Sequence, residues 1–191
     1  MKKYELTKET VTISGKTLYR IRAVRDFGSV KTGEFGGYIE KEENLSHFGD
    51  AWVYGNAKVS GKAWVRGNAE VSGNAKVRGN AWICGNAKVS GNAEVSGNAK
   101  VSGNARVSGN AEVSNTRHYF VQGPIGSRDG FATFYKTKDD TIAVKCGCFL
   151  GSLQEFVNQV EKTHKGNKYE KEYKLAAELA KVCIRLEGES K

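Results

Sequence analysis

The chain has 191 residues, 39% of them apolar, with 23 Gly, a single Pro and a formal net charge of +9. So much Gly beside so little Pro excludes collagen and proline-rich linkers. No apolar run approaches the ~20 residues that cross a bilayer, and the opening MKKYELTKET lacks the apolar centre of a signal peptide, so a soluble, cytoplasmic protein with no membrane partner is expected. The four Cys (Cys84, Cys146, Cys148, Cys183) do not form the pattern of a secreted disulfide framework, and reduced thiols are expected.

Charge is concentrated in the middle of the chain. Residues 1–50 hold nine Lys/Arg against eight Asp/Glu, residues 51–118 nine against three, and residues 119–191 twelve against ten. A positive field over the middle third attracts anions such as nucleotides, nucleic acid or an acidic protein surface.

In chain order, residues 4–13 and 17–24 read as two strands about a Ser14-Gly15-Lys16 turn, the second with clear alternation in TLYRIRAV. Arg20, Arg22 and Arg25 are candidates for binding an anion, against the plainer reading of alternating Arg as the solvated face of a strand. Residues 1–34 are expected to form a β-hairpin cap.

From Val53 a six-residue repeat takes over: VYGNAK, VSGKAW, VRGNAE, VSGNAK and so on to VSNTRH. Position one is Val or Ile eleven times running and position five is Ala ten times. The phase extends loosely backward through HFGDAW, KEENLS and FGGYIE, so residues 35–116 are assigned to the repeat region. A helix cannot use a period of six, and Gly in every turn would cost about 1 kcal/mol each. A strand and a corner can: in Lys-Val-Ser the Val points inward and its neighbours outward. Gly-Asn then supplies positive-φ residues for the corner. Three corners close a triangular coil of about 18 residues, stacked at roughly 4.8 Å per coil.

These hexads resemble the left-handed parallel β-helix of hexapeptide-repeat proteins, whose pattern is an aliphatic residue, two turn residues and a small residue at position five. The resemblance implies a mainly β fold with a left-handed parallel β-helix of about 4–5 coils, and a homo-oligomer, typically a trimer.

With 18 residues per coil, hexads three apart share a face. One face is expected to stack His47, Val65, Ile83 and Val101 inward, with Phe48, Trp64, Arg66, Trp82 and Lys100 among the outward flanks. A second stacks Val53, Val71, Val89 and Val107, with Trp52, Tyr54, Glu70, Lys88 and Arg106 outward. The third carries Lys58, Lys76, Arg78, Glu94 and Glu112. Outward Trp on a sheet face needs a cover: a partner subunit, the C-terminal domain, or a ring ligand stacked on it with Arg66, Arg78 and Lys76 near its negative groups.

The repeat stops at Asn115-Thr116-Arg117, and residues 117–191 are expected to form a small α+β domain. Strands are predicted over 119–122, 131–137 and 141–149, the last placing Cys146 and Cys148 on one side. The Ser152–Glu155 capping box starts a helix with Leu153, Phe156, Val157 and Val160 as its stripe. A last helix over 168–186 carries Tyr169, Tyr173, Ala176, Ala177, Ala180, Cys183 and Ile184 at helical spacing. The blocks LYRIRAVRDFGSVKTGEFGGYIEKEENLSHFGD and IGSR…GCF.G.L.EF…V…TH…N.Y…Y are similar to a phage and prophage group of these repeat proteins, which implies a location in the host cytoplasm.

Several chemistries are open. Many hexapeptide-repeat proteins are acyltransferases with a His base near a subunit interface, and His47 and His118 are the His residues at the ends of the repeat. Zinc chemistry needs clustered His, and His47, His118 and His164 are far apart. Cys146 and Cys148, with His164 or Cys183, offer a weak thiol or metal site against a plain buried-Cys reading. Gly123–Gly130 reads first as a plain hairpin connection and second as a Gly-rich anion nest, with Ser127 and Arg128 adding a hydroxyl and a guanidinium.

The expected function is non-enzymatic binding of an anionic, nucleotide-like small molecule, with long nucleic acid a lesser partner, and, from the phage resemblance, sequestration of a host signalling nucleotide. The residues expected to hold it are Trp64, Arg66, Arg78, Trp82, Arg117, His118, Ser127 and Arg128, with no catalytic residue, metal or cofactor. The alternatives are a protein-interaction or structural module anchored by Trp64 and Trp82, and an acyltransferase.

Overall fold

The computed structural model describes residues 2–187. An antiparallel hairpin, β1 (Tyr4–Ile13) and β2 (Lys16–Ala23), leads into β3 (Phe35–Ile39). Eleven two-residue strands follow at intervals of six residues: β4 (Trp52–Val53), β5 (Lys58–Val59), β6 (Trp64–Val65), β7 (Glu70–Val71), β8 (Lys76–Val77), β9 (Trp82–Ile83), β10 (Lys88–Val89), β11 (Glu94–Val95), β12 (Lys100–Val101), β13 (Arg106–Val107) and β14 (Glu112–Val113). They stack in parallel on three faces, in the orders β4-β7-β10-β13, β5-β8-β11-β14 and β6-β9-β12. The fold is a parallel β-solenoid of about four turns, in which in-register partners such as Lys88 and Arg106 lie eighteen residues apart.

The inward Val and Ala side chains build the core. Val59, Val65, Val71, Val89 and Ala69, Ala75 and Ala87 are fully buried. A side chain no larger than Ala suits position five because it sits inward just after each corner. Gly takes positive φ at the corners, for example +71° at Gly79. The neighbouring Asn is not in that region, contrary to expectation. Its contribution is a ladder: the Asn68 amide donates to Asn86 Oδ1 at 3.2 Å, Asn86 to Asn104 at 3.2 Å, and Asn80 to Asn98 at 3.0 Å.

The first coil departs from the period. Ile39 pairs with Val59 and Leu45 with Val65, each twenty residues apart. Leu45, not His47, therefore stacks beneath Val65. The backward phase was wrong because two extra residues enter before Val53; Phe35 is correspondingly half exposed, and Gly36 and Gly37 are buried against the Trp52 and Val53 rung.

The direction of the ladder sets the chemistry of the N-terminal cap. Outside the bonds between paired strand residues, each coil donates N–H groups to carbonyls of the next, as Asn68 N–H does to Gly85 O. The N-terminal end therefore presents bare carbonyls, and side-chain donors cover them. Lys3 Nζ donates to Ala51 O at 2.7 Å and to Gly49 O at 3.2 Å. Asn44 Nδ2 donates to Ala63 O and Gly61 O, and the Tyr4 hydroxyl lies 2.8 Å from Leu45 O. Trp52, expected outward, is fully buried beneath this cap, edge-on to Phe27 and Tyr4.

At the other end lies a four-stranded antiparallel sheet of β15 (Tyr119–Ile125), β16 (Gly130–Lys136), β17 (Ile142–Cys146) and β18 (Phe149–Ser152). Strand alternation gives β16 two cores. Tyr135 packs on the solenoid, its hydroxyl 3.2 Å from Ser108 Oγ, and Thr133 Oγ1 accepts from Arg106 N–H at 2.9 Å. Ala132 and Phe134 face the opposite way, onto α1 (Leu153–His164) and α2 (Lys168–Cys183). The predicted 141–149 strand is broken by a turn at Gly147-Cys148, so Cys146 and Cys148 do not share a strand face. None of the described helices is long and apolar enough to cross a membrane.

Candidate functional site

Rungs β6, β9 and β12 place Trp64, Trp82 and Lys100 in register on one face. The indoles meet edge to face, centroids 5.6 Å apart at 85°. The Arg66 guanidinium lies 4.6 Å from the Trp64 ring and 5.2 Å from Trp82, and Lys100 Nζ lies 4.9 Å from Trp82. The parallel ladder forces this column: residues eighteen apart are neighbours, so two Trp and the two flanking cations become one patch. Phe48, 81% exposed, and Trp64 border a shallow cavity of about 340 Å³.

Ring contact, rather than charge pairing, sets the cations of this face apart: among the described residues, Lys58 and Arg106 on the other two faces also lack a carboxylate partner, but neither lies over a ring. On the second face, Lys88 pairs with Glu70 at 2.8 Å; on the third, Lys76 and Arg78 lie 3.2 and 3.7 Å from Glu94. Among the described residues, Arg66 and Lys100 have no carboxylate partner and rest on the indoles alone. Half-buried Trp with unpaired cations above it attracts a flat, negatively charged group.

The other expected site residues lie elsewhere. Arg78 is on the third face, away from the Trp column, because position 78 follows β8 and the Trp column runs through β6 and β9. Arg117 and His118 sit in the 3₁₀ turn that leaves the solenoid. His118 is buried: its Nε2 meets the Asn115 amide at 2.8 Å and its Nδ1 the Ser114 hydroxyl at 3.2 Å. Burial, and after it the charge of Lys136, hold its pKa below the ordinary value.

Ser127 and Arg128 are exposed in the β15–β16 turn. That turn's nest already has an anion, since Gly126 N–H donates to Glu172 Oε2 at 2.8 Å. The Tyr173 hydroxyl sits where a Cβ on Gly126 would lie, so the turn is tied down on α2. The eight residues thus form four separate groups, and only Trp64, Arg66 and Trp82 come together.

The expected acid–base groups are engaged in the caps. His47 stacks on Tyr4 at 4.3 Å and its Nδ1 accepts from Lys3 N–H. Arg20 and Arg22 pair with Glu9 and Glu5 across the hairpin. Burial raises the pKa of the Cys146 thiol, which lines a small apolar cavity with Phe156, His164 and Tyr173. The eighteen-residue spacing already put Lys100 on the Trp face, but it was left out of the residues expected to hold the ligand; the structure sets its ammonium over Trp82.

The model of the YdcK beta solenoid repeat matches residues 99–115, about one coil. No curated protein matches the chain.

Proposed function

We propose that this chain is a phage-type, hexapeptide-repeat binding protein, assembled as a homotrimer, that holds an anionic nucleotide-like molecule on the Trp64–Trp82 face. One observation carries the reading: among the described residues, Arg66 and Lys100 have no carboxylate partner and lie over the indoles of Trp64 and Trp82, whereas Lys58, Lys62 and Arg106, also without a carboxylate partner, lie over no ring. A base stacks on an indole, and its phosphate meets the guanidinium and ammonium groups. In a host cytoplasm such binding would sequester a signalling nucleotide. A mononucleotide suits the patch better than long nucleic acid, because two rungs and two cations are a short footprint.

The test is quenching of Trp fluorescence by mono-, di- and cyclic nucleotides, together with native mass spectrometry for subunit number and retained ligand. Arg66→Ala should weaken binding by about 1–3 kcal/mol, the value of one charge-assisted contact. A subunit or protein interface is favoured instead if no nucleotide quenches the indoles and Trp64→Ala dissociates the oligomer.

A further inference from the structure

A second basic surface lies away from the Trp face. The turn of the N-terminal hairpin overhangs the third face and encloses a cleft of about 660 Å³, lined among others by Ser14, Lys16, Lys62, Lys76, Arg78 and Glu94. Its walls come from three places. The hairpin turn brings Ser14 and Lys16, the corner after β5 brings Lys62, and β8 with its corner brings Lys76 and Arg78. Glu40 fixes the turn against the corner: it receives Lys16 Nζ at 2.9 Å on the same carboxylate oxygen that accepts Gly61 N–H.

The cleft has more cations than carboxylates. Glu94 is shared by Lys138 at 3.0 Å, Lys76 at 3.2 Å and Arg78 at 3.7 Å. Arg78 is the most distant of the three and 58% exposed, free to turn toward a ligand. Lys62 has no carboxylate partner among the described residues. The lining holds hydroxyls, an Asn amide and ammonium and guanidinium groups, but no aromatic ring. Such a cleft has donors for several phosphate groups and no face on which a base can stack.

We propose that this cleft binds an oligophosphate chain, with Lys62, Lys76 and Arg78 as its cationic contacts. The chain can come free or as the tail of a nucleoside triphosphate. The site is independent of the Trp face.

Calorimetric titration of the full chain with inorganic tripolyphosphate, in salt near 0.1 M, tests it. Saturable binding without quenching of Trp fluorescence is expected, because the cleft contains no Trp. Lys62→Ala and Arg78→Ala should each lower the affinity about tenfold or more, and Lys88→Ala, which removes a cation from another face, should leave it unchanged. ATP titrated alongside separates the two sources: equal affinity, lost in Arg78→Ala, identifies a nucleotide tail, and weaker binding than tripolyphosphate identifies the free chain. Absence of binding by both, or binding that Lys62→Ala and Arg78→Ala leave intact, overturns the proposal. None of these outcomes depends on whether nucleotides quench Trp64 and Trp82.

Discussion

Gly97 and Gly103 occupy the same place in successive hexads and have similar φ values, +58° and +66°. A Cβ on Gly97 would collide with Ser114 O, whereas a Cβ on Gly103 meets open space. Gly103→Ala therefore costs only the backbone strain of a left-handed residue, and Gly97→Ala costs that and the clash. The expected losses are about 1 kcal/mol for Gly103→Ala and about 3 kcal/mol for Gly97→Ala, read from urea midpoints at constant slope. His118 gives a second measurable effect. Its ring is held neutral by burial and by Lys136, and the unfolded ring titrates near 6.5. A depressed pKa contributes stability that is complete above that pH and is lost as pH falls through the folded value. Melting scans from pH 7.5 to 5 should show wild type losing more stability than His118→Gln; equal losses would remove His118 from the acid response. At this scale, the inward Val and Ala and the corner Gly were legible because each has one steric solution. The burial of Trp52 was not, because its cover comes from residues 4 and 27.

The repeating element is one rung, and its corner is held by more than backbone. Asn86 stands mid-ladder, accepting from Asn68 and donating to Asn104. Asn86→Ala breaks both bonds at a solvent-exposed edge and should lower stability by about 1 kcal/mol, whereas Asn104→Ala, at the end of the ladder, should cost about half as much; a chemical-denaturation series measures both. The ladder was not deduced from the sequence because Gly-Asn has a sufficient local explanation as a turn. Stacking at eighteen residues adds the second use. The C-terminal helices show the opposite case. Their starts are written locally: the Ser152 hydroxyl accepts from Glu155 N–H and Glu155 reaches back to Ser152 N–H. Asn167 likewise accepts from Tyr169 and Glu170. The turn at Gly147-Cys148 was missed because an apolar run with one Gly reads as a continuous strand.

At the scale of the molecule the solenoid is a column with two unlike caps: side-chain donors of Lys3, Tyr4 and Asn44 cover carbonyls of the first coils, whereas at the last coil Thr133 Oγ1 accepts from Arg106 N–H and Lys138 N–H donates to Asn110 O. The charge columns give a test of how strictly the coils are matched. Removing residues 84–101 takes out one full coil, leaving Arg106 above Glu70 and Glu112 above Lys76, both opposite charges. Removing only residues 84–89 turns the downstream coils by one face, placing Glu94 above Glu70 and Lys100 above Lys76. Like charges on adjacent rungs repel and are screened by salt. The six-residue deletion should therefore gain stability as NaCl is raised, and the eighteen-residue deletion should not, as followed by thermal melting.

The six-residue beat by itself determined the solenoid, its three faces and the column of Trp64, Trp82 and their cations, because the ladder makes neighbours of residues eighteen apart. Tertiary structure alone decided what lies beyond that beat: the twenty-residue first coil, the Trp52 cover, the Glu172 carboxylate in the Gly126 turn, and the cleft that the hairpin turn closes over Lys62, Lys76 and Arg78. Each of these joins segments with no common period, and contact between such segments depends on how the caps dock rather than on any local pattern.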